Sequence, residues 1–173
     1  MKINLPVTNT EYVLKDTDSI VSKTDRKGII TYANEDFLRI SGFTKDELIG
    51  TSHNIVRHPD MPPEAFADLW NSMKAGKPWT GLVKNRCKNG GFYWVLANST
   101  PFMENGQLVG CMSVRTKPSR AQTEAAGAAY RLFREGKAGN LKIKDGKVVN
   151  PTIWWKLNIF RFKNLTIKSL VSG

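Results

Sequence analysis

Alternation of apolar and polar positions, punctuated by turn residues, lays out most of this chain. Ile20 to Thr24 alternates, Asp25-Arg26-Lys27-Gly28 supplies a turn, and Ile29 to Ala33 returns, predicting a first hairpin. Asn34 can cap a short helix that carries Phe37, Leu38 and Ile40 and stops at Gly42. Thr44-Lys45-Asp46-Glu47 is a capping box for a second short helix ended by Gly50. Residues 51–63 lack a regular period. Prolines at 59, 62 and 63 keep them out of a long helix while allowing one turn around Ile55 and Val56. Pro63 then opens a helix whose Phe66, Leu69, Trp70 and Met73 recur at i, i+3, i+4, i+7, the spacing of one buried face. Trp79 to Arg86, Phe92 to Ser99 and Leu108 to Thr116 read as a three-stranded meander turned at Asn89-Gly90-Gly91 and at Asn105-Gly106.

Five strands with the helices grouped between the second and third predict an α+β fold in which the helices cover one sheet face. Ser119-Arg120-Ala121-Gln122 caps a further, alanine-rich helix closed by Gly136. After it, LKIKDGKVV predicts a small hairpin around Asp145-Gly146. The run 151–173 mixes Trp, Phe, Ile and Lys, which suits either a short amphipathic helix or a strand-like hook.

Charge changes the picture at the C-terminal end. The chain carries +11, but residues 137–173 hold eight Lys/Arg and one Asp, leaving only +4 for residues 1–136. Such asymmetry points to an anionic surface partner for the tail and away from a basic enzyme cleft. No run of about 20 apolar residues is present, and the first eighteen residues contain no apolar signal core, so neither a membrane span nor a secretory signal is expected. Cys87 and Cys111 are too few for a disulfide framework and are not spaced for zinc, which fits a reducing compartment.

Candidate chemistry concentrates in residues 53–94. Arg57 offers a planar fork of donors suited to a phosphate or a heterocycle edge, and it can equally pair with Asp60 inside the loop. His58, its backbone restricted by Pro59, can donate to a ligand or merely satisfy the loop. Trp79 can stack on a ring or serve as core, while Asn34 and Asn85 offer donor and acceptor together. Asn34 is equally well explained as a helix cap. His53, His58 and Asp60 make a poor metal set, since the prolines leave their geometry unspecified. Paired carboxylates, a nucleophile with its base, and phosphate loops are all missing, so no enzyme is expected.

The motifs Ile30-Thr31-Tyr32-Ala33-Asn34, Ser41-Gly42-Phe43-Thr44 and Lys77-Pro78-Trp79-Thr80-Gly81, with the run His53-Asn54-Ile55-Val56-Arg57-His58-Pro59-Asp60-Met61-Pro62, resemble the FAD-binding PAS domains of bacterial aerotaxis receptors. That resemblance implies a PAS fold: a five-stranded antiparallel sheet with helices on one face, plus a C-terminal helix and basic tail. Its divisions would be an N-terminal arm (1–18), the sensory domain (19–118), a linker helix (119–136) and a membrane-proximal tail (137–173). It implies FAD as cofactor, with contacts on Asn34, His53, Arg57, His58, Asp60, Trp79, Asn85 and Asn98. It also implies a redox or oxygen sensor that does not turn over substrate, forming part of a longer, membrane-anchored receptor on the cytoplasmic side of the bacterial inner membrane. Self-association, signalling domains of the same receptor and an anionic membrane touching 137–173 would be its partners. Nucleic acid would not. Light-sensing relatives hold a cysteine in the loop or helix beside the flavin; here that segment has none, so a photochemical thiol adduct is not expected. Haem on a histidine is a rival cofactor, and the alternative function is a cofactor-free PAS module working through protein contacts.

Overall fold

The computed structural model describes residues 3–152. The first hairpin forms β1 (Ile20–Asp25) and β2 (Ile30–Ala33). Asn34 caps α1 (Glu35–Ser41), and the Thr44 capping box opens α2 (Lys45–Leu48). A single 3-10 turn, His53–Val56, is the one helical turn in the irregular stretch, and α3 (Pro63–Lys74) follows. The meander supplies β3 (Trp79–Arg86), β4 (Phe92–Glu104) and β5 (Gln107–Thr116). Beyond it come α4 (Arg120–Arg134), capped by the Ser119 box, and the hairpin β6 (Lys142–Lys144) and β7 (Lys147–Val149). The helix or hook expected in 151–173 lies almost wholly outside the described residues.

The sheet is antiparallel throughout, in the order β2-β1-β5-β4-β3, so the first hairpin sits beside the last strand. Its inner face meets α1, α2 and α3 around Phe37, Ile20, Ile30, Leu48, Val56, Met73, Tyr93 and Val95, all fully buried. Burying each of these apolar side chains stabilises the fold by roughly 1.5–3 kcal/mol.

The outer face is also partly covered, beyond the one-sided packing expected from the element order. Tyr130 of α4 donates to the Leu82 carbonyl at 2.7 Å and stacks on Trp94 at 6.3 Å between ring centroids. The N-terminal arm lies on the domain: the backbone N–H of Thr8 donates to the Gly90 carbonyl, that of Tyr12 to the Phe92 carbonyl and that of Phe92 to the Thr10 carbonyl, at 2.8–2.9 Å. Arg86, pointing outward, donates to the Pro6 carbonyl at 2.8 Å.

Candidate functional site

Between α3 and the inner face of the sheet lies a cavity of ≈ 250 Å³. Strand register builds its floor. Ser22 on β1, Ser113 on β5, Ser99 on β4 and Trp79 on β3 stand opposite one another in one row, and Arg115 and Ala97 occupy the next. The apolar face of α3 forms the roof: Phe66, Leu69, Trp70 and Met73 all line the cavity. Their spacing is that of a buried face; Met73 is fully buried, and Phe66, Leu69 and Trp70 are half-buried. Trp70 thus packs against the core and also walls the cavity. Lys27, Gly28 and Asn54 complete the mouth.

Glycine at two positions makes room for the aromatic walls. A Cβ on Gly81 would run into the Trp79 ring, and one on Gly28 would sit 3.1 Å from the Trp70 ring, at a backbone φ of +80°. Trp79, 2% exposed, is held inside the wall by its Nε1, which donates to the Asp68 carboxylate at 2.7 Å.

Four of the eight expected contact residues meet at this cavity: His53, Arg57, Trp79 and Asn85. A backbone bridge joins Arg57 to Asn85, and the Arg57 guanidinium lies 4.0 Å over the Phe66 ring. His53 stacks on Phe37, and its Nε2 is 3.3 Å from Ser22 Oγ. Burial, with the Arg115 charge adding to it, pushes the His53 pKa down to about 3, so the ring is neutral at physiological pH.

The other four do not line the cavity. Asn34 spends its amide on the fold: it accepts from Phe37 N at 3.1 Å and Val21 N at 3.0 Å and donates to the Ser19 carbonyl at 2.7 Å. Asn98 is exposed on the outer sheet face, where it accepts from Thr80 Oγ1 at 2.8 Å. The loop passes from inside to outside between Arg57 and Asp60. His58 is buried against the edge of Phe92, and its Nδ1 accepts from the Asp60 backbone N–H. Burial, aided by the Lys84 charge, holds its pKa well below the ordinary value. Asp60 does not pair with Arg57. It binds Lys84 Nζ at 2.7 Å, and its carbonyl accepts from Arg134 of α4 at 2.6 Å. Burial works against the Asp60 charge, but Lys84 outweighs it and the carboxyl is lowered.

Arg115 was not singled out from the sequence, nor was the serine row. Arg115 is fully buried, lies 4.9 Å over the Phe37 ring and donates to Ser22 Oγ. Burial pushes its pKa down to about 10, Tyr93 opposing in part. The parity of Cys111, Ser113 and Arg115 along β5 marks all three as inward, a signal that was there to be read. Cys111, expected only as a strand residue, thus reaches the cavity wall, and burial raises its thiol pKa. Cys87 is buried beneath α1, with its thiol 3.4 Å from the Ile40 carbonyl. Among the described residues, no three His, Cys, Asp or Glu side chains come together as a metal site would need.

Several donors at and beneath the cavity are left unsatisfied. Arg57 Nη2, Asn85 Nδ2, Arg115 Nε and Arg115 Nη1, with the Tyr93 hydroxyl, are buried without a hydrogen-bond partner among the described residues. Buried polar groups are nearly always paired, so convergent orphan donors between aromatic walls fit a planar ligand with acceptor atoms on its edge.

Sheet, helical roof and polar-floored cavity together define an α+β module built around an internal cavity. The chain belongs to the PAS family: a family model described as the PAS fold matches residues 30–115. It is similar to the aerotaxis receptor of Escherichia coli (strain K12), with 44% identity over 83% of this chain and 28% of that receptor. The nitrogen fixation regulatory protein of Klebsiella pneumoniae is 30% identical over 51% of this chain and 18% of its own length. The chain thus spans little more than a quarter of the first of these relatives and less of the second. Among solved structures, the PAS domain of a protein from Colwellia psychrerythraea covers 60% of this chain and 89% of its own, at TM-score 0.54 and 22% identity. The dark structure of the blue-light photoreceptor Aureochrome1 LOV covers 68% and 83%, at TM-score 0.53 and 20% identity. At those identities the likeness concerns the fold.

Proposed function

We propose that this chain is the flavin-binding redox or oxygen sensor domain of an aerotaxis-type receptor, with FAD as cofactor and no substrate turned over. The observation that carries it is the set of orphan donors on Arg57, Asn85 and Arg115, facing a cavity walled by Trp79, Trp70 and Phe66. A flavin ring presents a flat aromatic face and an edge of alternating acceptors and a donor. Aromatic walls accept the first, and the Asn85 amide with two guanidinium groups answers the second. The similarity to the aerotaxis receptor supports the same reading.

When bound, the flavin supplies reversible electron transfer, which changes the charge and hydrogen bonding at its ring. The residues around it have separate tasks. Arg115 contributes a fixed positive charge in a poorly solvated place, where electrostatic effects are large. His53, held neutral, offers a ring nitrogen without adding charge. Ser22, Ser99 and Ser113 provide hydroxyls that can turn to donate or accept. A volume of ≈ 250 Å³ would suit the ring system, and Lys27, Gly28 and Asn54 would be the residues left to hold the remainder of a dinucleotide.

In this reading the chain is the sensory part of a longer, self-associating receptor anchored at the inner membrane. Among the described residues, no helix is long and apolar enough to cross a membrane. The purified protein should be yellow, with absorbance bands in the blue and near ultraviolet and FAD in the released extract. A protein that stays colourless after incubation with excess FAD overturns the flavin and leaves the cofactor-free interaction module in its place.

A further inference from the structure

We propose that Asp68 is a positioning residue that ties the cavity wall to the β6–β7 hairpin, making the hold on the Trp79 indole and the docking of the hairpin tip one equilibrium. Asp68 lies on α3 among the residues that roof the cavity. Its carboxylate accepts three N–H groups: Trp79 Nε1 at 2.7 Å, Gly146 N at 2.7 Å and Asp145 N at 3.0 Å. The N–H groups at a hairpin tip usually face water. Here two successive ones, with φ of +52° at Asp145 and +78° at Gly146, form a concave pair of donors aimed at one carboxylate.

A second observation shows that the tip is shaped for this contact. Gly146 is packed so closely on β3 that a Cβ there would run into the Thr80 carbonyl and come within 3.0 Å of the Gly81 Cα. Ile143 and Val148 of the hairpin are half-buried and packed against the main core. Among the described residues, the hydrogen bonds from the tip go to Asp68 alone. One carboxylate therefore orients the indole that walls the cavity and anchors the last element before the chain continues past residue 150. Only the identity of what moves Trp79 rests on the flavin proposal. The link itself requires that undocking the tip free Asp68 and, with it, Trp79. Coupling between two such sites is reciprocal, so loosening the tip must weaken ligand binding by the factor with which the ligand tightens the tip.

The test uses the full 173-residue chain and the variants Gly146→Ala and Asp68→Asn. Gly146→Ala undocks the tip without altering a cavity residue. Asp68→Asn removes the charge but keeps one acceptor oxygen, and so remains informative should Gly146→Ala fail to fold. Three quantities are measured: amide exchange at Asp145 and Gly146, the Trp79 indole N–H resonance without flavin, and the dissociation constant for FAD. In Gly146→Ala, exchange at the tip should rise at least tenfold, the indole resonance should move, and FAD should bind about five- to tenfold more weakly. Asp68→Asn should fall between this variant and wild type. Faster exchange at the tip with an unmoved indole resonance overturns the link. If wild type fails to bind FAD, the flavin proposal falls, and the indole resonance alone decides for or against Asp68.

Discussion

Arg115→Met should stabilise the flavin-free protein while weakening its hold on the cofactor, a pair of opposite signs that an ordinary core residue would not give. Arg115 is 2% exposed, and two of its nitrogens, Nε and Nη1, have no partner. An unsatisfied buried donor costs about 1–3 kcal/mol. Its pKa, pushed down to about 10, corresponds at about 1.4 kcal/mol per pH unit to roughly 3 kcal/mol against the charged form. Methionine fills similar space without that cost, though it gives up the charge-assisted hydrogen bond to Ser22, worth about 1.5–3 kcal/mol. The balance is up to about 1.5 kcal/mol in favour of Met, which for a chain of this size raises Tm by up to about 3–6 °C. With a flavin bound, the orphan donors find acceptors and the sign reverses: losing a charge-assisted bond weakens affinity about ten- to a hundredfold. Thermal unfolding with and without FAD, alongside FAD titration, measures both. If Arg115→Met lowers the Tm of the flavin-free protein and leaves FAD affinity intact, Arg115 is a structural residue and the account of the cavity floor is wrong.

Arg57→Ala should lower FAD affinity by about ten- to a hundredfold with the fold intact, read by absorbance after gel filtration; full occupancy counts against Arg57. Trp79→Phe should retain FAD better than Trp79→Ala, because the aromatic wall matters more than the indole donor; equal retention by both would make Trp79 core alone. His53 has a folded pKa of about 3 against an ordinary 6.5, so the unfolded chain takes up the proton first as pH falls. Its contribution to stability is complete above about pH 6.5 and declines towards pH 3, by up to about 1.4 kcal/mol per pH unit. Urea unfolding at pH 7.5, 5.5 and 4.5 should show this decline flattened in His53→Gln, with His58 sustaining a part of it. Vesicles with acidic lipid should pellet the full chain at low salt more than at high salt, and more than a chain ending at Thr152; equal pelleting removes the proposed lipid contact.

The architecture was legible because it rests on local rules that tertiary context did not override. Alternation fixed the strands, and Asn34, Thr44 and Ser119 each cap the helix that their sequence announced. The site was legible only in part, for reasons of direction. Within 57–60 the chain crosses from the cavity to the outer surface, so residues adjacent in sequence serve different sides: Arg57 faces the roof and Asp60 faces Lys84. No periodicity reports such a crossing. Asn98 fails by parity, since it shares a strand with inward Ala97 and Ser99 but points the other way. Arg115 and the serine row escaped notice because polar residues on a strand look like a solvent face until the register shows them turned inward.

The bridge between Arg57 and Asn85 bears on more than ligand recognition. β3 ends the sheet, and an exposed terminal strand invites pairing with another chain. Here the cavity loop lies against it at Asn85, and the Asp145-Gly146 tip lies against it at Thr80. Both are covers that the proposed ligand helps to keep in place. Loss of order in the site would thus do more than empty the cavity: it would uncover a strand edge with open hydrogen-bonding groups. If the site holds the proposed ligand, its occupancy and the protein's solubility would be joined through a single strand.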